Sequence, residues 1–482
     1  MMTITCIKIS SNHGLKTADH SQPNTEAVVV IHVGEGLFKA ILANRHDDAA
    51  RLIYSDWLED NGFEARARFI RTMIEYHNLP TWDADRYVLH PQWSLPVDDL
   101  AVRQEFLGDV LVPVKRLGFQ RGLPDWLDYK HLNGNWRKEY EEDLEWYPGT
   151  GVELQIVPSQ KAHCFTELPS ELTGLTVHCQ GQRVKLQFAK ESNNLNIIRI
   201  VGSSGPRMRM DPTNYFNFRN TDATVGSISS KGGLKKLRSL ELNSFRLPIT
   251  QLNKFLANLP ESCRTLSLIG SIRGADFDQL QVPAFVETLD VGHNGLVGVH
   301  VMSWLDRQEL PRLKALRIGY NPMGANTLRQ IICHPQLHNL VSLELNDIHP
   351  HDKSIVVQSL EESHLPDLRA LEIAYNQLST QVLLEIFGSG NFALLEHLNL
   401  DGNQLTDDFF TDLPHTALPS VRSLSIQASE VTLSVLSTIQ QRQLFPRLQV
   451  LCLGKQKFFK KDVEIVKIFT SKLKLLHFQV PD

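Results

Sequence analysis

Leu395-Glu-His-Leu398-Asn-Leu400-Asp-Gly-Asn403 is the clearest copy of a nine-residue pattern, Leu-x-x-Leu-x-Leu-x-x-Asn, that decides the fold of this chain. Copies of the pattern, with substitutions, follow one another at steps of 23 to 28 residues. They begin at Leu237, Cys263, Val286, Leu313, Leu340, Leu368, Leu395, Val421, Leu448 and Leu473. Repeats of this length indicate stacked copies of one structural unit, each burying its apolar side against its neighbours.

Each unit is predicted to contain a short strand, a turn and a helix. In Leu398-Asn-Leu400, alternation sends both leucines to the core face and Asn399 to the free face. Helices are predicted over residues 379–387 and 407–413, where a capping residue precedes apolar residues spaced three and four apart.

The ninth position of the pattern predicts a ladder of buried side-chain amides. Asparagine holds this position at Asn294, Asn321, Asn376 and Asn403. A buried amide there can bond to backbone groups of the neighbouring turns. The ladder is expected to be broken, because other residues hold the position at Phe245, Ser271, Ile348, Ser429 and Gln456.

The strand, asparagine turn and helix resemble the longer, ribonuclease-inhibitor-like class of leucine-rich repeats. The link in Asn403-Gln-Leu405-Thr-Asp407 is typical of that class. The resemblance implies an α/β solenoid in the shape of a horseshoe, with parallel strands on the concave face and helices on the convex face.

The segment before the repeats predicts two amphipathic helices and the start of a third. The apolar stripe of the first is expected at Leu37, Ile41 and Leu42. That of the second is expected at Leu52, Ile53, Trp57 and Leu58, and Asn61-Gly62 ends the helix.

This segment resembles the repeat-companion domain that precedes leucine-rich repeats in many bacterial proteins. The resemblance rests mainly on Arg51-Leu-Ile-Tyr-Ser-Asp-Trp-Leu-Glu59, Gly62 and Phe69-Ile-Arg71. Arg68 departs from the family, which usually carries an acid there. The resemblance implies a small helical domain and a bacterial origin, and it brings no biochemical activity with it.

The sequence therefore predicts five segments. They are a flexible tail (1–34), a helical companion domain (35–80), a Trp-rich junction and cap (81–156), degenerate repeats with an inserted loop (157–232) and the regular array (233–482). In the junction, Gly118-Phe119-Gln-Arg-Gly122 resembles a turn found after companion domains, and residues 152–156 are the first predicted strand. Ligand binding by the loop at 203–232 or by the junction stays open.

Composition favours a soluble cytoplasmic protein. The net charge is −5 and the six cysteines show no pairing by spacing, which favours a reducing compartment. The apolar run at residues 27–32 is too short for a secretory core or a membrane span. The acidic balance argues against nucleic acid as a general partner.

No motif predicts catalysis, a metal or a cofactor, so a non-enzymatic protein is expected. The chain lacks a Gly-x-Ser-x-Gly elbow, a phosphate-binding glycine loop and a zinc motif. The acids at 47, 48, 56, 59 and 60 are interpreted as helix caps and solvated residues, because their spacing is not that of a calcium loop. His349 and His351 are interpreted as turn residues.

The free face of the repeat sheet is the predicted binding site. The residues expected to bind a protein partner are Glu241, Asp290, Arg317, Tyr320, Glu344, Glu372, Tyr375, His397, Asn399 and Asp401. Acids outnumber bases in this set, so the partner is expected to carry a basic or mixed patch. The sequence does not determine the oligomeric state.

An alternative from another class is an enzyme or nucleotide-dependent regulator with a site in residues 80–160. It requires Asp83, Asp85, His90, His131, Glu142 and Asp143 to converge in one cleft. Separation along the chain does not decide between the two.

Overall fold

We describe the fold from a computed structural model. The structure describes residues 35–44, 47–89, 117–120, 123–129, 151–156, 163–165, 168, 172–179, 183–188, 194–202, 224–230, 234–323, 330–331, 333–348, 365–388, 390–457, 459 and 462–479. The predicted tail at 1–34, Trp93, Trp136, Trp146, His349, His351 and residues 203–223 of the predicted loop lie outside these ranges.

One long sheet organises the chain, and its repeat strands are parallel and in register, as predicted. Its strands, in spatial order, are β1 Leu117–Gln120, β2 Leu123–Tyr129, β3 Gly151–Ile156, β5 Gly174–Cys179, β7 Ile197–Val201, β9 Ser239–Asn243, β11 Thr265–Ser267, β12 Thr288–Asp290, β13 Ala315–Arg317, β14 Ser342–Glu344, β15 Ala370–Glu372, β16 His397–Asn399, β17 Ser423–Ser425, β18 Val450–Lys455 and β19 Leu475–Gln479. Leu371, Leu398 and Leu424 stand opposite one another, so each repeat aligns with the next.

The sheet starts earlier than predicted. β1 and β2 pair antiparallel with Gln120 opposite Leu123, and β2 pairs parallel with β3. Residues 118–120 of the predicted turn motif therefore lie in β1, the strand at the edge of the sheet, and residues 121–122 lie outside the described ranges. Residues 152–156 were predicted as the first strand of the sheet, but they belong to β3, which is the third.

Helices back the regular array. In the described part of the array they are α4 Ile249–Leu256, α5 Gly298–Leu305, α6 Thr380–Gly388, α7 Asp408–Asp412, α8 Ser434–Arg442 and α9 Val463–Lys472, with 3₁₀ helices at Gly274–Gln279 and Pro335–Leu337. Strands stack about 4.8 Å apart but helices need about 8–10 Å, so this part of the solenoid curves with its strands inside. One apolar core runs from Leu172 to Phe478.

The units before the array differ from the prediction, because strands back them instead of helices. A second sheet contains β4 His163–Phe165, β6 Arg183–Phe188, β8 Thr224–Ser230 and β10 Phe245–Arg246. Val184, Leu186 and Phe188 alternate with exposed residues and reach the core from this sheet. The inserted loop predicted up to residue 232 is wrong over 224–230, which form β8.

The amide ladder is confirmed. Asn321 donates from Nδ2 to Val291 O (3.1 Å) and Ile318 O (2.9 Å), and its Oδ1 accepts from Asn294 N (2.9 Å). Other polar residues at the ninth position bond in the same way: Gln456 donates to Val431 O at 3.0 Å. These bonds satisfy backbone groups buried where each strand turns away from the sheet.

A left-handed backbone at the eighth position makes each turn. Positive φ occurs at Ser244, Gly270, His293, Tyr320, Asp347, Tyr375, Gly402 and Ala428. For residues other than glycine this conformation costs about 1–2 kcal/mol, and the buried ladder offsets that cost. The variety of residue types gave no signal for it in the sequence.

The three N-terminal helices are α1 Glu35–Ala43, α2 Asp48–Asp60 and α3 Glu64–Asn78. Asp47 caps α2 by accepting from Ala49 N at 2.9 Å, as predicted. The predicted stripe of α2 is wrong in part: Leu52 and Ile53 are 39% and 54% exposed, whereas Tyr54 and Leu58 are buried. No helix in the described ranges is long and apolar enough to cross a membrane.

Candidate functional site on the concave face

Two rows of side chains leave the concave face of the same strands. The covered row holds the first residue of each strand: Thr288, Ala315, Ser342, Ala370, His397 and Ser423. The open row holds the third residue: Asp290, Arg317, Glu344, Glu372, Asn399 and Ser425. Alternation points both rows away from the core.

The covered row is buried although it points away from the core. Ala315 and Ala370 have no exposed surface, and the other four residues are at most 6% exposed. The open row, two residues further along each strand, is half-buried throughout. Something other than the repeat core therefore lies over the first row.

The cover is the chain itself, in a crossing segment formed by residues 81–89. At one end the Thr81 hydroxyl lies 2.6 Å from the Thr288 hydroxyl. Trp82 Nε1 donates to Glu287 Oε2 at 3.4 Å. Residues 85–89 form a helical turn, which begins where Asp83 Oδ1 accepts from the Asp85 backbone N–H at 2.9 Å.

Tyr87 is the central anchor of the crossing segment. Its ring stacks on His397 with centroids 3.9 Å apart and planes 9° apart. Its hydroxyl bonds to the Ser342 hydroxyl at 3.1 Å, and its backbone O accepts from Ser423 Oγ at 3.3 Å. Burial raises the pKa of the Tyr87 hydroxyl far above its usual value of 10.

Val88 and Asp85 hold the far end of the segment. Val88 is buried in one cluster with Val450 and Cys452 of β18, against which Leu475 also packs. Asp85 forms an ion pair with Arg422, the residue before β17. The contacts of Thr81, Tyr87 and Val88 reach β12, β14, β16, β17 and β18, so the crossing segment lies across the array.

Arg86 ties the crossing segment to the helical domain. Its Nη1 donates to Tyr76 O and to Leu79 O, each at 2.8 Å. Its guanidinium also lies over the Tyr76 ring, 3.9 Å from the centroid. The crossing segment thus leads directly from the end of the helical domain onto the concave face.

The open row carries a cluster of acidic side chains. Arg317 Nε lies 3.6 Å from Glu344 Oε2. Asn346 Nδ2 donates to both Glu344 and Glu372, each at 3.2 Å. Burial, reinforced by the charge of Glu372, raises the pKa of Glu344 well above its usual 4.5. Burial also raises the pKa of Asp290.

Aromatic residues of the left-handed turns line a rim beside the open row. His293 and Tyr320 stack with centroids 4.2 Å apart. Tyr375 is 37% exposed and packs over Gly402, where an added Cβ would overlap its ring. The rim, defined as His293, Tyr320 and Tyr375, places two tyrosines within reach of the acidic cluster.

Not all of the predicted binding residues come together. The open row and rim assemble Asp290, Arg317, Tyr320, Glu344, Glu372, Tyr375 and Asn399. Glu241 lies further along the sheet and pairs with Arg199 at 2.5 Å. Asp401 accepts from Ser425 Oγ (2.7 Å) and from Gln427 N (2.6 Å), which occupies its carboxylate with local turns.

His397 requires a correction, because it was predicted to face a partner. It is only 6% exposed beneath Tyr87, and burial lowers its pKa to about 4. Sequence reasoning also missed Tyr87 and Arg422, and it named Asp85 only as part of the alternative site. A signal was present: five of the six residues in the covered row are Thr, Ser or Ala, an uncharged composition that is unusual for a solvated row.

Comparisons with known proteins give only distant likenesses. No protein-family model matches the chain, and a search of curated proteins finds no similar sequence. Among solved structures, an internalin (inlF) from Listeria monocytogenes is 18% identical with a TM-score of 0.32, over 65% of this chain and 76% of that one.

Two further structures show the same level of likeness. TLR13, in its complex with ssRNA13, is 16% identical with a TM-score of 0.35, over 69% of this chain and 43% of that one. Human 5T4 (Wnt-activated inhibitory factor 1, trophoblast glycoprotein) is 19% identical with a TM-score of 0.27, over 51% and 78%. This chain is an α/β leucine-rich-repeat solenoid. Its ligand must be inferred from its own residues.

Proposed function

We propose that this protein is a non-enzymatic scaffold that binds a protein partner through the open row and the rim. The observation that carries the proposal is the pair of carboxylates Glu344 and Glu372. The Asn346 amide donates to both, and Arg317 lies beside Glu344. Burial and repulsion from Glu372 disfavour the ionised form of Glu344. A lysine or arginine side chain of a partner would stabilise the charged carboxylates, so we expect the partner to carry a basic or mixed patch.

The rim supplies the apolar part of the interface. Tyr320 and Tyr375 offer large amphipathic surfaces on a rigid turn, and aromatic side chains of this kind are enriched at binding hot spots. The rows of a solenoid lose little conformational freedom on binding, which favours affinity. A protein is favoured over nucleic acid, because the acids of the open row repel phosphate.

The setting of this scaffold follows from sequence expectations. We place it in the bacterial cytoplasm, on the resemblance of residues 35–80 to companion domains and on a cysteine spacing that suggests no pairing. Cys179, Cys263 and Cys452 are buried and form no disulfide. We propose that the companion domain serves to hold the crossing segment on the array.

The alternative of an active site in residues 80–160 gains no support from the described residues. Asp83 caps the helical turn of the crossing segment and Asp85 pairs with Arg422. His90, His131, Glu142 and Asp143 lie outside the described ranges.

Comparative affinity capture from cell lysate, read by mass spectrometry, tests the proposal. The Glu344→Gln/Glu372→Gln variant keeps the shape of both side chains and removes their charge. Proteins captured by the wild type should be lost with this variant, and salt should weaken their capture. The matched control is Glu385→Gln/Glu430→Gln, at two exposed acids outside the open row. Identical capture by all three chains would contradict the proposal.

A further inference from the structure

The covered row is built as a groove for a short segment that crosses the strands. Its floor consists of small residues, with Ala315 between Thr288 and Ser342 and Ala370 between Ser342 and His397. His397 provides an aromatic wall on one side of Ala370. A floor of small side chains leaves room for a large side chain from elsewhere.

The crossing segment shows which chemistry fits this groove. An aromatic ring stacks on His397 while its hydroxyl reaches Ser342. An acidic side chain two residues earlier pairs with Arg422, and an aliphatic side chain one residue later enters the cluster of Val450 and Cys452. The contacts follow the order Asp85, Tyr87, Val88.

These contacts combine a small apolar patch with separate polar anchors. Ala84, Val88 and Leu89 are buried. The other anchors are hydrogen bonds between hydroxyls, one stacked ring and one partly exposed ion pair, with Arg422 24% and Asp85 40% exposed. The crossing segment is joined to the helical domain on one side, by Arg86, and is 28 residues from β1 along the sequence on the other. A segment held mainly by a few such anchors can exchange with another of the same chemistry.

We propose that the covered row is a recognition groove for a partner segment in which an acidic residue stands two positions before a tyrosine and an aliphatic residue follows it, and that residues 81–89 occupy the groove as a tethered competitor. This goes beyond the proposed function, because it concerns the covered row and not the acidic open row. A tethered segment acts at an effective concentration of about millimolar, so the partner segment must displace it. Binding is then gated by release of the crossing segment.

The test uses a fluorescent synthetic peptide of residues 80–89 and the full-length chain, with binding followed by anisotropy. Tyr87→Ala/Val88→Asp in the chain opens the groove and leaves its floor intact. The opened chain should bind the peptide at least about tenfold more tightly than the wild type, because its competitor no longer seats. Equal binding by the two chains would overturn the proposal.

A charge exchange checks that the peptide occupies the groove. Arg422→Glu in the opened chain should weaken binding of the wild-type peptide, and a peptide carrying Asp85→Arg should restore it. Arg312→Glu, at an exposed arginine outside the face, is the matched control and should change nothing. Absence of this restoration would overturn the assignment of the site.

Two further controls keep the outcome interpretable. If circular dichroism shows that the double variant unfolds, Val88→Ala serves as the milder opened chain, and a lack of peptide binding by that folded chain overturns the proposal.

A wild type that dimerises in light scattering, with dimerisation lost in Tyr87→Ala, would assign the groove to a second copy and also overturn the proposal. None of these results depends on Glu344 or Glu372, so the proposed function is tested separately.

Discussion

His397 and Asn399 leave the same strand on the same side, two residues apart, yet they have different surroundings. His397 is buried under Tyr87, whereas Asn399 is half-exposed and donates to Glu372 at 3.5 Å. The same contrast separates the covered row from the open row along the array. Alternation therefore determines which way a side chain points, and a distant part of the chain determines whether water reaches it.

Leu398, between these two residues, gives the largest expected effect because both rows depend on it. It has no exposed surface, so Leu398→Asp buries an unpaired carboxylate and should lower the free energy of unfolding by roughly 4 kcal/mol or more. Urea denaturation measures this. The comparison is Asn399→Asp, which places a carboxylate beside Glu372 and should cost about 1 kcal/mol. Equal losses would contradict the contrast between core and open row.

Asn403→Ala should have the next largest effect, since the turns after each strand hold both rows in register. Its Nδ2 donates to Ile373 O and Leu400 O, both at 3.0 Å, and its Oδ1 accepts from Leu378 N at 3.0 Å. Leaving these buried groups unpaired should lower the free energy of unfolding by about 2–4 kcal/mol. Ser429→Ala removes one bond, to Ile426 O, and should cost about 1 kcal/mol.

The pH dependence of stability tests whether His397 is buried in the covered row. Its pKa is lowered from 6.5 to about 4 in the folded chain, so the unfolded chain gains a proton first as the pH falls. Stability should therefore decrease between about pH 6.5 and pH 4, by at most about 1.4 kcal/mol per pH unit from this residue. In Tyr87→Ala the loss should be smaller, and the His397 ring proton should titrate nearer pH 6.5 by NMR. A wild-type His397 that titrates near 6.5 would contradict burial of the row.

Glu344, in the open row, should give a pH dependence of stability opposite in sign to that of His397. Its folded pKa is raised above 4.5, so the unfolded chain releases its proton first and stability decreases as the pH rises above about 4.5. Glu344→Gln should raise the free energy of unfolding at pH 8 by about 1 kcal/mol and change it little at pH 4. Glu385→Gln, at an exposed acid, should change neither value.

Local periodicity explains what the sequence predicted well. The leucines of each nine-residue pattern determine strand, register and core, and the buried asparagines follow from their position in the turn. The cap at Asp47 is also a local feature. Asp407 shows the limit of such reasoning: it was expected to cap its own helix, but it accepts from Thr432 N, at 2.7 Å, in the next unit.

Long-range packing explains what the sequence did not predict. The strands that back the early units have an alternating pattern at Val184, Leu186 and Phe188 that is too short to exclude a loop. The cover by Tyr87 joins residues more than 300 positions apart, as the stack on His397 shows. No periodic pattern records such a contact, and only the uncharged composition of the covered row pointed to it.

Thiol labelling of the native cysteines shows whether the crossing segment covers the concave face. Cys452 points away from the core yet is only 6% exposed in the cluster with Val88, and burial raises its pKa to about 12. Cys263 lies in the core with no exposed surface and serves as the buried reference. Cys333 is half-exposed and serves as the accessible reference.

Timed alkylation with peptide mapping should show Cys333 reacting fast and Cys452 nearly as protected as Cys263 in the wild type. Val88→Asp should accelerate labelling of Cys452 alone, because it unseats the crossing segment. A wild-type Cys452 that reacts as fast as Cys333 would show that this end of the concave face is uncovered and would contradict the account.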